Sequence, residues 1–227
     1  HPALLALVLL SCSAVNATAV LMIAPAPLLW LGDAALRGRV TWVRATSTAT
    51  RVGILALAVS AWWIAMLRTQ GRLGADVLGF SESLEATSFT TLATETLRGT
   101  GYWLFYIRDE TAFATSASRA LMENPAVLAL TYALPLAGLL GVALVRWSGR
   151  RWAATTLLAG MVLAVGVHPI DDPSPLMSGI AENSRSGLAL ALRSSARATP
   201  LVVLALSLGL AALLRHVERL FAHECAV

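Results

Sequence analysis

Long apolar runs separated by short arginine-bearing connections set the pattern of this chain. Four charge-free stretches, Val52–Leu67, Val127–Val145, Trp152–Val167 and Leu201–Leu214, approach the about 20 residues needed to cross a bilayer core. With their flanks they predict spans over 52–69, 127–146, 152–168 and 198–214. Pro200 is acceptable there because a first helical turn does not need its missing N–H. The opening stretch, Ala3–Leu31, has 29 residues without a charge, more than one span requires. Asn16 and Thr18 at its centre, then Pro25 and Pro27, point to a break. Residues 1–32 are therefore expected to form a broken helix or hairpin, two half-length helices meeting near Ser13–Asn16, with a single tilted span as the alternative.

Composition sharpens this into a class. Of 227 residues 57% are hydrophobic and 13% charged, with a mean hydropathy of +0.70. A soluble domain carries about 25% charge, so a soluble globular enzyme is excluded, and so is a disordered chain. The expected fold class is all-α, a polytopic membrane protein, with 1–227 as one transmembrane domain. Because it starts at His1, the sequence reads as a piece of a longer protein. All 17 basic residues are Arg and the formal charge is +4. They are spread between apolar runs rather than gathered on one soluble face, which argues against nucleic-acid binding. Cys12 and Cys225 offer no disulfide or zinc framework.

The charge also sorts by side. Asp33–Arg51, Arg146–Arg151 and the tail from Arg215 hold nine Arg and three acids, whereas Arg68–Ala126 and His168–Ala198 hold eight Arg and ten acids. The positive-inside rule then places the short connections in the cytoplasm and the long loops, 70–126 and 169–197, on the outer face of the plasma membrane. The first of these is too long for a bare turn and carries seven of the fifteen aromatic residues. Tyr102, Phe105 and Tyr106 recur at helical spacing, as in a helix lying on the membrane surface, and an aromatic interface belt explains them equally well.

Three outer segments hold candidate chemistry. Glu82 and Glu85 share one face if their segment is helical, and a carboxylate partly shielded at the membrane surface can serve as a general base; two solvated loop acids are the plainer reading. Arg193 and Arg197, four apart, with Ser194 and Ser195 between them, form a cradle for a phosphate, or else arginines that snorkel to lipid headgroups. His168, Asp171 and Asp172 are residue types that hold a hard divalent cation, although two acids before Pro173 also describe a turn. No Walker loop, G-x-G-x-x-G, G-x-S-x-G, C-x-x-C or H-E-x-x-H occurs, which removes support for nucleotide hydrolysis, dinucleotide redox chemistry and zinc proteolysis. The charge-free spans argue against a proton-coupled transporter.

Three blocks of the chain resemble the actinobacterial arabinofuranosyltransferase D family, membrane glycosyltransferases of the GT-C fold. They are Ser13–Val20; Trp62-Trp63 through Phe80-Ser81-Glu82-Ser83 to Leu97-Arg98-Gly99-Thr100-Gly101-Tyr102-Trp103; and Ser186–Pro200. The resemblance implies a GT-C-like core, a decaprenylphosphoryl-arabinofuranose donor and an arabinan or lipoarabinomannan acceptor on the outer face, with the chain embedded in membrane lipid. It implies a catalytic role for Glu82, with Glu85 second, donor-phosphate contacts from Arg193, Arg197, Ser194 and Ser195, and substrate contacts from His168, Tyr102 and Trp103. It assigns no metal, leaving a divalent cation open. It also implies that a further catalytic acid lies in a first outer loop preceding His1. The alternatives are another GT-C transferase using a polyprenyl-phosphate sugar and a non-catalytic membrane scaffold of a cell-wall assembly complex.

Overall fold

A computed structural model of the chain describes residues 2–13, 17–74, 83–110, 112–182 and 194–224. Among these residues the structure is helical, with no strand beyond one isolated bridge between Arg108 and Phe113. The chain divides into two compact units, His1–Ser83 and Leu84–Val227.

The first unit contains α1 (Pro2–Ser13), α2 (Ala17–Ile23), α3 (Pro25–Leu36) and α4 (Trp42–Leu73). Pro25 opens α3, where its missing N–H costs nothing. Gly38, at φ 67°, closes it: Gly38 N–H donates to Ala35 O and Arg39 N–H to Ala34 O, so the last carbonyls are satisfied. At the end of α3, Arg37 lies 2.8 Å from Asp33. Thr41 starts α4 by accepting the Arg44 N–H. That cap lies eleven residues before the charge-free stretch that begins at Val52, so the helix is much longer than that stretch. Both α1 and α3 pack against α4. The break expected near Ser13–Asn16 falls largely on 14–16, outside the described residues.

The second unit contains α5 (Leu84–Ser88), α6 (Ala93–Arg98), a 3₁₀ turn (Trp103–Tyr106), α7 (Ser116–Glu123), α8 (Pro125–Ala143), α9 (Arg150–Val165), α10 (Pro175–Glu182), a second 3₁₀ turn (Ser195–Ala198) and α11 (Thr199–Glu224). Asn124 starts α8 by accepting the N–H groups of Ala126 and Val127, with Pro125 in the first turn. At the other end of α8, Arg150 donates from Nε to Val142 O at 2.8 Å and from Nη2 to Ala143 O at 2.5 Å, covering carbonyls that have no further turn to bond.

Helices α8, α9 and α11 form the core of this unit, and they meet through small residues. A Cβ on Gly141 would collide with the Gly209 carbonyl, one on Gly209 with the Gly138 carbonyl, and one on Gly160 would come within 2.8 Å of Leu201 Cβ. Ala153, Ala164, Ala198 and Ala205 are fully buried beside them, whereas Leu130, Leu134, Leu136 and Leu158 are exposed. A water-soluble bundle buries its large apolar side chains and leaves small or polar ones outside. The reverse arrangement suits lipid, where large side chains meet acyl chains and close backbone approach supplies the attraction between helices. Three helices are long and apolar enough to cross a membrane, Trp42–Gln70, Pro125–Ala143 and Ser195–Ala222. At 16 residues, α9 is shorter, and five of those residues are buried.

Candidate functional site

The C-terminal end of α9 gathers segments that are far apart in sequence. Gly166, at φ 60°, turns the chain sharply, and a Cβ there would meet Ser195 Oγ at 2.7 Å. Two residues on, His168 Nδ1 sits 2.9 Å from the Ser88 carbonyl oxygen. A carbonyl can only accept, so Nδ1 donates in this bond. From the same segment, Thr91 Oγ1 donates to Val165 O at 3.0 Å, and Thr91 is fully buried. Helix α5, with Glu85 exposed in its first turn, packs on the second 3₁₀ turn, which holds Ser195 and Arg197. Ser194 and Ser195 are buried, and Ser195 Oγ has no hydrogen-bond partner among the described residues.

Several residues singled out from the sequence thus border one end of the helix trio: Glu85, His168, Ser194, Ser195 and Arg197. Glu82 and Arg193 lie outside the described residues. Asp171 and Asp172 are exposed in a turn closed by Asp172 N–H to Pro169 O at 3.1 Å. Among the described residues no group of three His, Cys, Asp or Glu side chains is placed to hold a metal ion.

Beside this end lies an ionic cluster that sequence reasoning missed. Arg98 Nη1 lies 2.7 and 2.8 Å from the two carboxylate oxygens of Glu95, and the pair is largely buried. Thr100 Oγ1 donates to Glu95 Oε2 at 2.6 Å, and the Tyr106 hydroxyl donates to the same oxygen. Arg98 Nε donates to Thr131 Oγ1 at 3.1 Å, and its guanidinium carbon stands 4.6 Å from the centre of the Tyr132 ring. Burial alone would raise the Glu95 carboxyl. The hydrogen bonds from Thr100, Tyr106 and Arg98, with the Arg98 charge, outweigh it and hold the carboxyl below its ordinary value. Burial, reinforced by the bond to Glu95, pushes the Tyr106 hydroxyl well up. Glu95 is therefore an ionised anchor for three donors.

The cluster is built by local rules. Gly99, at φ 76°, ends α6 so that Gly99 N–H reaches Thr96 O and Thr100 N–H reaches Glu95 O. That turn brings Thr100 back over the Glu95 carboxylate. Arg98 Nη2 is buried without a hydrogen-bond partner among the described residues, and Arg98 lines an apolar groove of about 320 Å³ with Leu134, Leu206 and Leu210. The i,i+3 spacing of Glu95 and Arg98 was a visible signal, but Tyr106, Thr131 and Tyr132 come from other elements. Tyr102 and Trp103 lie 5.8 Å apart between ring centres, and Tyr102 meets Phe105 edge-on at 6.5 Å. The membrane-surface helix expected for these aromatics is instead a four-residue 3₁₀ turn, because Tyr106 is drawn inward to Glu95.

The inverted packing, the apolar helices and a polar cap at one end of the bundle define an all-α membrane protein. More specifically, the chain belongs to the alpha-(1->3)-arabinofuranosyltransferase family: residues 1–226 match the model of that family's N-terminal GT-C domain. An alpha-(1->3)-arabinofuranosyltransferase from Mycolicibacterium smegmatis is 33% identical over 204 residues. The matched region covers 90% of this chain and 14% of that relative, so the chain spans a small part of the curated protein's length. No solved structure matches the chain.

Proposed function

We propose that this chain forms part of a multi-pass membrane enzyme that transfers arabinofuranose from decaprenylphosphoryl-arabinofuranose to an arabinan acceptor at the outer face. Family membership supports the reaction class. The observation that carries the location is the convergence of α5, His168 and the Ser194–Arg197 turn on one end of α9.

Transfer forms a bond between the acceptor oxygen and the anomeric carbon, breaks the bond from that carbon to the phosphate oxygen, and releases the polyprenyl phosphate. The acceptor hydroxyl must lose its proton to a base, and the leaving phosphate needs positive charge and hydrogen-bond donors. In this reading Glu82 is the base, with Glu85 as second choice. Arg193 and Arg197 bind the departing phosphate, assisted by Ser194 and Ser195. Ser195 suits this role because its buried hydroxyl has no partner to give up among the described residues. His168, with Tyr102 and Trp103, faces the sugar.

The test is arabinose transfer from the lipid donor by the full-length enzyme carrying Glu82→Gln or Arg193→Ala. Each is expected to lose most of its turnover, about a hundredfold for removal of a catalytic base. Turnover near the unmodified level in both variants would overturn the assignment.

A further inference from the structure

At the opposite end of the helix trio from the candidate site, three arginines line one pocket without a counter-ion among the described residues. Arg146 follows α8, while Arg215 and Arg219 lie one turn apart near the end of α11. With His216, Trp147 and Leu208 they line a pocket of about 450 Å³. All three arginines are exposed, and none forms an ion pair among the described residues. No acidic side chain lines the pocket; Glu218 stands between the two α11 arginines in sequence but outside the lining. Arg150, nearby in sequence, shows the contrast, because its guanidinium is consumed in capping α8.

Three like charges brought together at one mouth repel one another unless an anion is present. The rest of the lining states what kind of anion. Val145, Leu208, Ala211 and Ala212 give the pocket an apolar floor, and the indole N–H of Trp147 is buried without a partner among the described residues. A soluble phosphate would gain nothing from that floor. An anionic lipid satisfies both parts, with its phosphate among the guanidinium groups and its glycerol and upper acyl carbons on the apolar surface. The position agrees: α11 is 26 residues long, about 39 Å at 1.5 Å per residue, so its last turns emerge from a core about 30 Å thick. Basic pockets between membrane helices at that depth bind phosphate-bearing headgroups.

We propose that the pocket between the end of α8 and the C-terminal turns of α11 is a binding site for the phosphate headgroup of an anionic membrane lipid, held by Arg146, Arg215 and Arg219. This site is separate from sugar transfer and lies at the far end of the bundle from the residues assigned to it.

The test uses the full-length protein in detergent, titrated with phosphatidylglycerol, cardiolipin or phosphatidylcholine, with bound lipid read by native mass spectrometry. The two anionic lipids are expected to be retained and phosphatidylcholine lost. Replacing Arg215→Gln together with Arg219→Gln should weaken retention about thirtyfold, since each basic residue near an anionic surface contributes roughly fivefold. Arg219→Gln alone, an exposed change that leaves the helix intact, should weaken it about fivefold by the same reasoning. A control pair on α4, Arg44→Gln with Arg51→Gln, should leave retention unchanged. Equal retention by the single variant and the unmodified protein would overturn the proposal. Displacement of the lipid by an equal concentration of inorganic phosphate would also overturn it, assigning the pocket to a soluble anion, as would occupation by a co-purifying acidic protein in place of lipid.

Discussion

Arg98 reaches both carboxylate oxygens of Glu95 from a single nitrogen, at 2.7 and 2.8 Å, while its Nε holds Thr131 on a different helix. This pair ties α6 to α8, and through Tyr106 it ties the aromatic turn to both. Removing one partner of such a buried pair leaves the other charge uncompensated. Glu95→Gln is therefore expected to cost about 3 kcal/mol of stability. Thermal unfolding of the detergent-solubilised protein should show it, and an unchanged midpoint would refute the structural role given to this pair.

The same carboxylate predicts a pH dependence. Its pKa is held below the ordinary value of 4.5 in the folded protein. A depressed carboxyl contributes stability that is present above the unfolded value and is lost as pH falls through the folded one. The stability gap between the unmodified protein and Glu95→Gln should be full at neutral pH and shrink below about pH 4.5. Comparing the two proteins' unfolding midpoints across that range cancels the other acids. A gap that widened on acidification would contradict the direction assigned.

Glycine contacts make a sharper steric prediction. Gly141→Ala and Gly209→Ala each place a methyl group on the facing helix backbone, so each should cost about 2 kcal/mol or more. Gly53→Ala, in α4 where nothing lies within 4 Å of the new atom, should be neutral or gain up to about 1 kcal/mol from helix propensity. Measuring all three in one series separates a packing effect from a general intolerance of alanine.

The Asn124 cap provides a local test. Its side chain accepts two backbone N–H groups at the start of α8. Asn124→Ala should cost about 1 kcal/mol, whereas Asn124→Asp, which can accept the same bonds, should cost little. Equal losses from the two replacements would show that the cap does not hold the helix.

For His168, position rather than proton transfer is the first expectation. Its bond to the Ser88 carbonyl joins α5 to the end of α9 across 80 residues of sequence. His168→Ala should reduce sugar transfer by the full-length enzyme. His168→Asn, whose amide can donate to the same carbonyl, should restore part of it. Failure of Asn to rescue would show that the contact of the His168 ring with the sugar, rather than its hold on α5, is what transfer requires.

Much of the helical framework was legible because its signals are local. The apolar run from Val127 predicts α8, which the structure starts two residues earlier at Pro125, behind the Asn124 cap. The apolar windows located the long helices, but not their ends: α4 begins at Thr41's cap, eleven residues before the charge-free stretch at Val52, because capping chemistry rather than hydropathy decides where a helix starts. The aromatic run was misread for a different reason. Helical spacing in Tyr102, Phe105 and Tyr106 fits a surface helix, yet a single inward hydrogen bond from Tyr106 to Glu95 outweighs that periodicity in so short a segment.

By itself the sequence determined the solvent and the long helices, since transfer of apolar residues into lipid depends on composition and near neighbours. Only the tertiary structure decided which polar groups meet. Ser88 and His168, 80 residues apart, and Arg98 and Thr131, 33 apart, meet only because separate elements pack together. The arginines illustrate the division: their number and grouping are plain in the chain, but packing assigns Arg150 to a helix end, Arg98 to a buried carboxylate, and leaves Arg146, Arg215 and Arg219 facing one another across an open pocket.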